Sequence, residues 1–339
     1  MTVRVAVDAL GGDRAPEEIV AGALEARSPA IEPIVFGPAS LDSRGLEQVE
    51  TTETIGMEEK PAEAVRAKPD SSLVAACRAV GRGDAAAVVS AGNTGAMLAA
   101  SLLEIRRLAG VLRPAIAVVI PSRHGPTVLL DCGANADSRP EHLLQFAEMG
   151  AIFSEEILEV ARPEVRLLSI GEEAEKGDQL TLEAHRLLAE SDLAFGGNVE
   201  SRWLLEGAGD VVVCGGFAGN IVLKLLEGTI RTVLDEVRSE ISSTATGKLG
   251  GLLIRPAARR LRARFDPEEY GGAYLLGLRG IVVIAHGNSS SRAIANAVRL
   301  AARGVDHGVI AKLGDRLARD VADDRVSIPA SVGPDGQER

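Results

Sequence analysis

Aromatic residues are scarce in this chain. Six Phe, two Tyr and one Trp make up 3% of 339 residues. The core must therefore be built from Ala, Val, Leu and Ile, which suits helices packed closely on a sheet. Cysteine is scarce too. Cys77, Cys132 and Cys214 are the only three, with no CxxC pair, which excludes a disulfide scaffold and fits a reducing cytoplasm. Basic charge is outweighed, 37 Lys and Arg against 48 Asp and Glu, for a net charge of −11. A general nucleic-acid binder needs a basic face, so nucleic acid is not an expected partner. No apolar run approaches the roughly 20 residues that span a bilayer. The start, MTVRVAVDAL, shows no signal-peptide architecture. A soluble, cytoplasmic protein is expected.

Glycine is abundant, at 37 residues, and it is placed with a pattern. DVVVCGGFAGNIVLK, from Asp210 to Lys224, reads as an apolar strand, a glycine loop and an apolar helix. The same succession occurs at VRVAVDALGGD (3–13), AAVVSAGNTGAMLAASLL (86–103), TVLLDCGANAD (127–137), DLAFGGNVES (192–201) and IVVIAHGNSSSRAIANAV (281–298). Continuous apolar runs are the mark of parallel strands buried on both faces. Strands alternating with helices predict an α/β fold, an open and mostly parallel sheet with helices on both faces. In such sheets ligands bind beyond the carboxyl ends of the strands, so six Gly/Asn loops are expected to crowd one edge. Glycine lets a ligand approach the backbone, and helix N-termini favour an anion there, a phosphate-like group above all. Against this stands the turn chemistry that Gly and Asn supply in any βα loop. There is no GxxxxGK[ST], and no strand-GxGxxG-helix with an acid beyond. No ligand cluster suggests a metal, and no cofactor is expected.

Further along, 140–158 is a predicted helix with Leu143, Leu144, Ala147 and Ala151 inward, and 172–192 a charged turn entering an amphipathic helix. Residues 1–328 read as one α/β/α catalytic domain and 329–339 as a disordered tail. Inside that domain, 240–270 is a basic amphipathic excursion. Arg255, Arg259, Arg260, Arg262 and Arg264 form the one dense basic stretch in the sequence. Pro256 is suited to open a helix. Ile254, Leu261 and Phe265 then share a face that the arginines flank. Such a helix suits an anionic membrane surface or an acidic partner; a solvated helix docked on a second copy of the chain is the alternative.

VAVDALGGDRAP (5–16), KPDSSLVAA (68–76), SAGNTGA (90–96), DCGANADSRPEHLLQFAEMGA (131–151), IGEEAEKG (170–177), GNVES (197–201), GFAGN (216–220) and YGGAYLLGLRGIVVIAHGNSS (270–290) follow in this order. Together they resemble the PlsX family of phosphate acyltransferases, over roughly residues 3–325. The resemblance implies a fold like phosphotransacetylase and isopropylmalate dehydrogenase, and a homodimer. It implies transfer of an acyl group from acyl-[acyl-carrier-protein] to inorganic phosphate, at the entry to bacterial phospholipid synthesis. One position departs: where the family usually carries Asp before GF.GN, this chain has Gly215.

Phosphate attacking a thioester asks the protein to position the reactants, stabilise an oxyanion and exclude water. On this reading Lys176 is the expected cation on phosphate or oxyanion, and otherwise a surface lysine. His286 protonates the thiolate or donates to phosphate, or else bonds its own loop. Asn220 and Asn198 are candidate oxyanion or amide-binding groups, or turn residues. Asn93, Thr94 and Gly95 are a candidate phosphate or pantetheine cradle. Gly11, Gly12, Asp13, Asn135, Gly216, Gly219, Gly287 and Asn288 complete the expected phosphate-binding set. Asp8, Asp13, Asp131 and Asp137 more naturally brace loops, since an acid beside phosphate repels it. Acyl-CoA as donor is the close alternative. A dehydrogenase of related fold is disfavoured for want of an acidic metal cluster. A non-catalytic scaffold, idle because of Gly215, is the alternative from another class.

Overall fold

A computed structural model of the chain describes residues 2–264 and 271–326. Eleven strands form one sheet. In chain order they are β1 (Val3–Asp8), β2 (Ile31–Gly37), β3 (Glu47–Glu50), β4 (Ala87–Ser90), β5 (Ala115–Pro121), β6 (Pro126–Leu130), β7 (Val165–Ser169), β8 (Phe195–Glu200), β9 (Val211–Val213), β10 (Ala273–Leu276) and β11 (Ile281–Ile284). Across the sheet the order is β3-β2-β1-β4-β11-β10-β5-β6-β9-β7-β8.

The continuous apolar runs make β1, β4, β6, β9 and β11 core elements on both faces. In β1, Val5 and Val7 enter one hydrophobic cluster and Ala6 the other. In β9, Val211 and Val213 face one way and Val212 the other. Fully burying one such valine contributes about 1.5–3 kcal/mol. Helices α1 (Glu17–Ala26), α5 (Pro140–Ile157), α6 (Gln179–Glu190) and α9 (Ser291–Asp306) cover one face. The other face carries α2 (Pro61–Ala67), α3 (Ser72–Arg82), α4 (Thr94–Ala100) and the start of α7 (Gly216–Ser243). α10 (Val309–Val326) packs beside α5 and α9. The predicted α/β sheet with helices on both faces is the observed one.

Strand direction corrects one expectation. β3, β2, β1, β4 and β11 are mutually parallel. β10 is antiparallel to β11, β5 to β10 and β6 to β5. β9, β7 and β8 then follow β6 in parallel. Three reversals leave the second group running opposite to the first, so the loops do not share one edge of the sheet. Twist works against that separation. At about 20–25° per strand, six steps from β1 to β9 rotate strand direction by roughly 130°. A twist of that size lessens the angle between the two sets of carboxyl ends.

DLAFGGNVES was expected to end in a loop. Instead Gly196, Gly197 and Asn198 lie inside β8, with a register shift between Val165 and Leu167 of β7. Gly197 has φ +91°, which lets the strand absorb the extra residue.

The basic stretch also departs from expectation. α8 runs from Ala245 to Arg264 with Pro256 inside it rather than at its start. Proline there removes the hydrogen bond to the Leu252 carbonyl. Leu252 is exposed, and the helix continues through Pro256 to Arg264. Phe265 and the tail 329–339 lie outside the described residues, and of Arg262 and Arg264 only the backbone is described.

Candidate functional site

The first group of loops is built on Asp8 at the carboxyl end of β1. Its carboxylate is buried and accepts from Ser72 Oγ at 2.5 Å, Ser90 Oγ at 2.7 Å and the Leu10 amide at 3.3 Å. Burial raises its pKa, and the bonds from Ser72 and Ser90 oppose that rise. Around it the chain is pressed too close for side chains. A Cβ on Gly11 would lie 2.4 Å from Asp8 Oδ2 and 2.8 Å from the Gly92 nitrogen. The Asp13 amide donates to the Gly287 carbonyl at 2.7 Å, joining the loops after β1 and β11. Gly12 takes φ +112° against that carbonyl.

Asn93 caps α4. Its Oδ1 accepts from the Ala96 amide at 3.1 Å, and its Nδ2 donates to the Met57 and Glu59 carbonyls. The Asn93 side chain is thus committed to holding the 57–59 segment over the start of α4. Thr94 is exposed at the first helical position, with Gly95 behind it against Pro61. The His286 ring is exposed, and its Nδ1 accepts from the Asn288 amide at 3.2 Å. That bond assigns the proton to Nε2, leaving a donor facing outward.

The second group centres on Asp131, which is fully buried. Its Oδ1 accepts from the amides of Ile116, Gly133 and Ala134, and its Oδ2 from the amide and Nδ2 of Asn135, all at 2.8–3.1 Å. Asn135 Nδ2 also donates to the Pro114 carbonyl at 2.8 Å. Both Asn135 amide hydrogens therefore serve the loop. The first turn of α7 lies against it. A Cβ on Gly216 would be 2.3 Å from the Asn135 carbonyl, and one on Gly219 2.0 Å from the Asp131 carbonyl. At these two positions the missing side chain admits the chain's own backbone. Asn220, one residue on, is exposed and sits over Gly133. Beneath, the Cys214 thiol is buried, and burial and then the Asp131 charge push its pKa upward, which disfavours the thiolate.

Lys176 ends a turn that follows β7. Its carbonyl accepts from Ser169 Oγ at 2.9 Å and Asn198 Nδ2 at 3.5 Å. Asn198 is buried, bonded also to the Glu173 carbonyl and to His185 Nδ1. It shapes the Lys176 turn from below. The Lys176 side chain is exposed, beside Glu172, Glu173 and Glu175. Leu180 links this turn to the second group, its Cδ2 being 3.6 Å from where a Gly215 Cβ would stand. Among the described residues no three His, Cys, Asp or Glu side chains gather as a metal site.

Gly215 is the N-cap of α7, with φ −69° and ψ 146° and no side-chain cap. A Cβ there would meet Ser138 Oγ and Leu180 Cδ2 at 3.6 Å, which is ordinary contact. Ser138 Oγ is buried without a partner. Gly215→Asp is therefore expected to cap the helix and accept from Ser138. Capping adds a few tenths of a kcal/mol over glycine, loss of glycine freedom in the unfolded chain about 0.4–1 kcal/mol, and the new hydrogen bond about 1 kcal/mol. Thermal melts should show a gain of a few degrees, with turnover changed less than about threefold. A tenfold rate gain, about 1.4 kcal/mol of transition-state stabilisation, would mean that the absent acid is catalytic rather than a brace.

The sheet order and helix placement have counterparts among solved structures. A phosphotransacetylase from Streptococcus pyogenes superposes with a TM-score of 0.60 at 18% identity, covering 90% of this chain and 94% of that one. A branched-chain phosphotransacylase from Enterococcus faecalis V583 gives 0.58 at 18%, covering 90% and 100%. The fold is thus that of the phosphotransacetylase-like α/β enzymes. In sequence, residues 3–312 match the family model described as fatty acid synthesis protein. A phosphate acyltransferase from Heliobacterium modesticaldum is 45% identical over 327 residues, 93% of this chain and 98% of that protein. Another from Desulfitobacterium hafniense is 47% identical over 331 residues, 94% and 99%. The chain belongs to this family, the PlsX-type phosphate acyltransferases, and is an enzyme of the acyltransferase class.

Proposed function

We propose that the chain transfers a fatty acyl group from acyl-[acyl-carrier-protein] to inorganic phosphate, releasing the carrier thiol and an acyl phosphate for phospholipid synthesis. The observation that carries this reading is the near full-length identity to phosphate acyltransferases. The loops add the chemistry. The N-termini of α4 and α7 offer amides and the positive end of a helix dipole to an anion. A phosphate oxygen attacks the thioester carbonyl carbon. The C–S electrons leave on sulfur, which takes up a proton. Lys176 supplies positive charge to phosphate or oxyanion, Asn220 an amide donor, and His286 Nε2 the proton. Thr94, Gly95 and Asn288 are the remaining open positions of the first loop group. Gly11, Gly12, Asp13, Asn93, Asn135, Asn198, Gly216, Gly219 and Gly287 hold the loops in place. Incubating the pure protein with acyl-carrier protein and phosphate tests the reading. Acyl phosphate should form, and acyl-CoA should be the poorer donor. Activity abolished by chelator and restored by a divalent ion would overturn the metal-free scheme.

Exposed apolar residues on α7 and α8 support a reading of the remaining partners. α7 exposes Phe217, Ile221 and Leu225 as one stripe along its first turns, and Val233 with Val237 as a second pair further on, each residue four from the next within its group. A second copy of the chain covering that stripe makes the homodimer. α8 exposes Leu252, Leu253, Ile254 and Leu261, with Arg255, Arg259 and Arg260 also exposed. An anionic membrane surface suits that mixture, the apolar residues inserting and each arginine adding about 1 kcal/mol. Ile254→Glu with Leu261→Glu should release the protein from anionic vesicles and leave turnover on soluble substrate intact. A double variant that keeps its vesicles, or that loses its dimer, would show that α8 is not the membrane contact.

A further inference from the structure

The fold assembles a second basic surface from segments far apart in sequence. Arg279 donates its amide to the Arg106 carbonyl at 3.0 Å and its Nε to the Arg107 carbonyl at 3.2 Å. Arg107 reaches along the same loop to the carbonyls of Val111 and Leu112. Gln145 of α5 pins that loop, accepting from the Leu112 amide and donating to the Gly110 carbonyl at 2.9 Å each. Arg113 and Arg139 both act on His142, whose pKa is lowered by burial first and by these two charges next.

All five arginines are exposed. Among the described residues none of them pairs with a carboxylate. Acids neighbouring these segments include Glu104, Asp137, Glu141 and, on α10 beside the 108–110 loop, Asp315. Glu104 is held by Arg78 at 3.1 Å, and Glu141 stands at the start of α5. Leu102, Leu103 and Leu112 are 37–55% exposed beside the arginines. Leu102, Arg106 and Arg107 line an open depression of about 400 Å³.

The place matters as much as the charge. Arg113 precedes Pro114, whose carbonyl holds Asn135, and Arg139 is the N-cap of α5, four residues past Asn135. The surface therefore borders the loop on which the first turn of α7 rests. We propose that it docks an acidic protein surface, that of the acyl-bearing carrier. This rests on the proposed donor and names where that donor sits. A protein of net charge −11 repels an acidic partner at long range, so encounter depends on a local patch of opposite sign. Arginine forks take carboxylates two bonds at a time, and the leucines supply a small apolar contact. A carrier seated there brings its thioester arm to the Asp131–Asn135 loop. The α8 arginines, interleaved with exposed leucines, are left to the membrane.

The test compares two charge reversals, Arg106→Glu/Arg113→Glu/Arg139→Glu and Arg255→Glu/Arg259→Glu/Arg260→Glu. Each is assayed with acyl-carrier protein and with an acyl-pantetheine thioester as donor, at low and high salt. The first variant should raise KM for the carrier about tenfold at low salt, with the difference shrinking at high salt. Its turnover of acyl-pantetheine should be unchanged, which also reports an intact fold. Replacing the same three arginines by Gln should shift KM the same way by less. An unchanged carrier KM in the first variant, or a rise confined to the α8 variant, overturns the docking surface while the donor stands. Loss of anionic-vesicle binding in the first variant, with carrier KM unmoved, assigns the patch to lipid and also overturns it. A native protein that forms no acyl phosphate from acyl-carrier protein sinks the donor reading itself, and the docking surface with it.

Discussion

Asp131→Ala should lower stability by about 3 kcal/mol, because five N–H groups lose their acceptor and three of those bonds are buried. The donors are the amides of Ile116, Gly133, Ala134 and Asn135 and the Asn135 side chain. Leaving one buried polar group unpaired costs about 1–3 kcal/mol; partial rearrangement keeps the total below a simple sum. Against a typical stability of about 5–15 kcal/mol the loss is large, and a melting point lower by roughly 6–12 °C is expected. Activity should fall with it, since the loop carries the first turn of α7. Asp131→Asn keeps one acceptor oxygen and should lose less. A melt for the alanine variant within a degree of native would show that water or a rotated peptide replaces the carboxylate.

Lys176→Ala should act the other way round, on rate and not on stability. The side chain is exposed and makes no ion pair among the described residues, so the melt should be unmoved. Removing a donor to a developing oxyanion commonly costs about 100-fold in turnover. A fall of that size in kcat/KM for phosphate is expected, partly restored in Lys176→Arg, which keeps charge but changes reach. Turnover within twofold of native would reduce Lys176 to a surface lysine among Glu172, Glu173 and Glu175. Steady-state rates at several phosphate concentrations separate the two.

Much of the architecture was legible along the chain. The runs that became β1, β4, β6, β9 and β11 are continuous in apolar residues because both of their faces are buried, and burial leaves its mark residue by residue. Eight ordered motifs sufficed for the family. What pairs with what was not legible. No local signal says that β10 and β5 are set between β11 and β6 and reverse the second half of the sheet, since strand order depends on contacts between segments far apart. Nor does sequence distinguish a glycine that receives a ligand from one that receives a carbonyl. Gly216 and Gly219 were singled out as a phosphate loop, and that they also seat α7 on the Asp131 loop was not visible in the sequence. The same limit hid the partnerless Ser138 hydroxyl beside Gly215, and it hid Arg279, 172 residues from the Arg107 carbonyl that it meets. Sequence by itself determined which continuous apolar runs are buried strands and which family the chain joins, because those are properties of neighbours in the chain. Tertiary structure alone decided which loops share a site and which charges share a surface, because those depend on how distant segments close on one another.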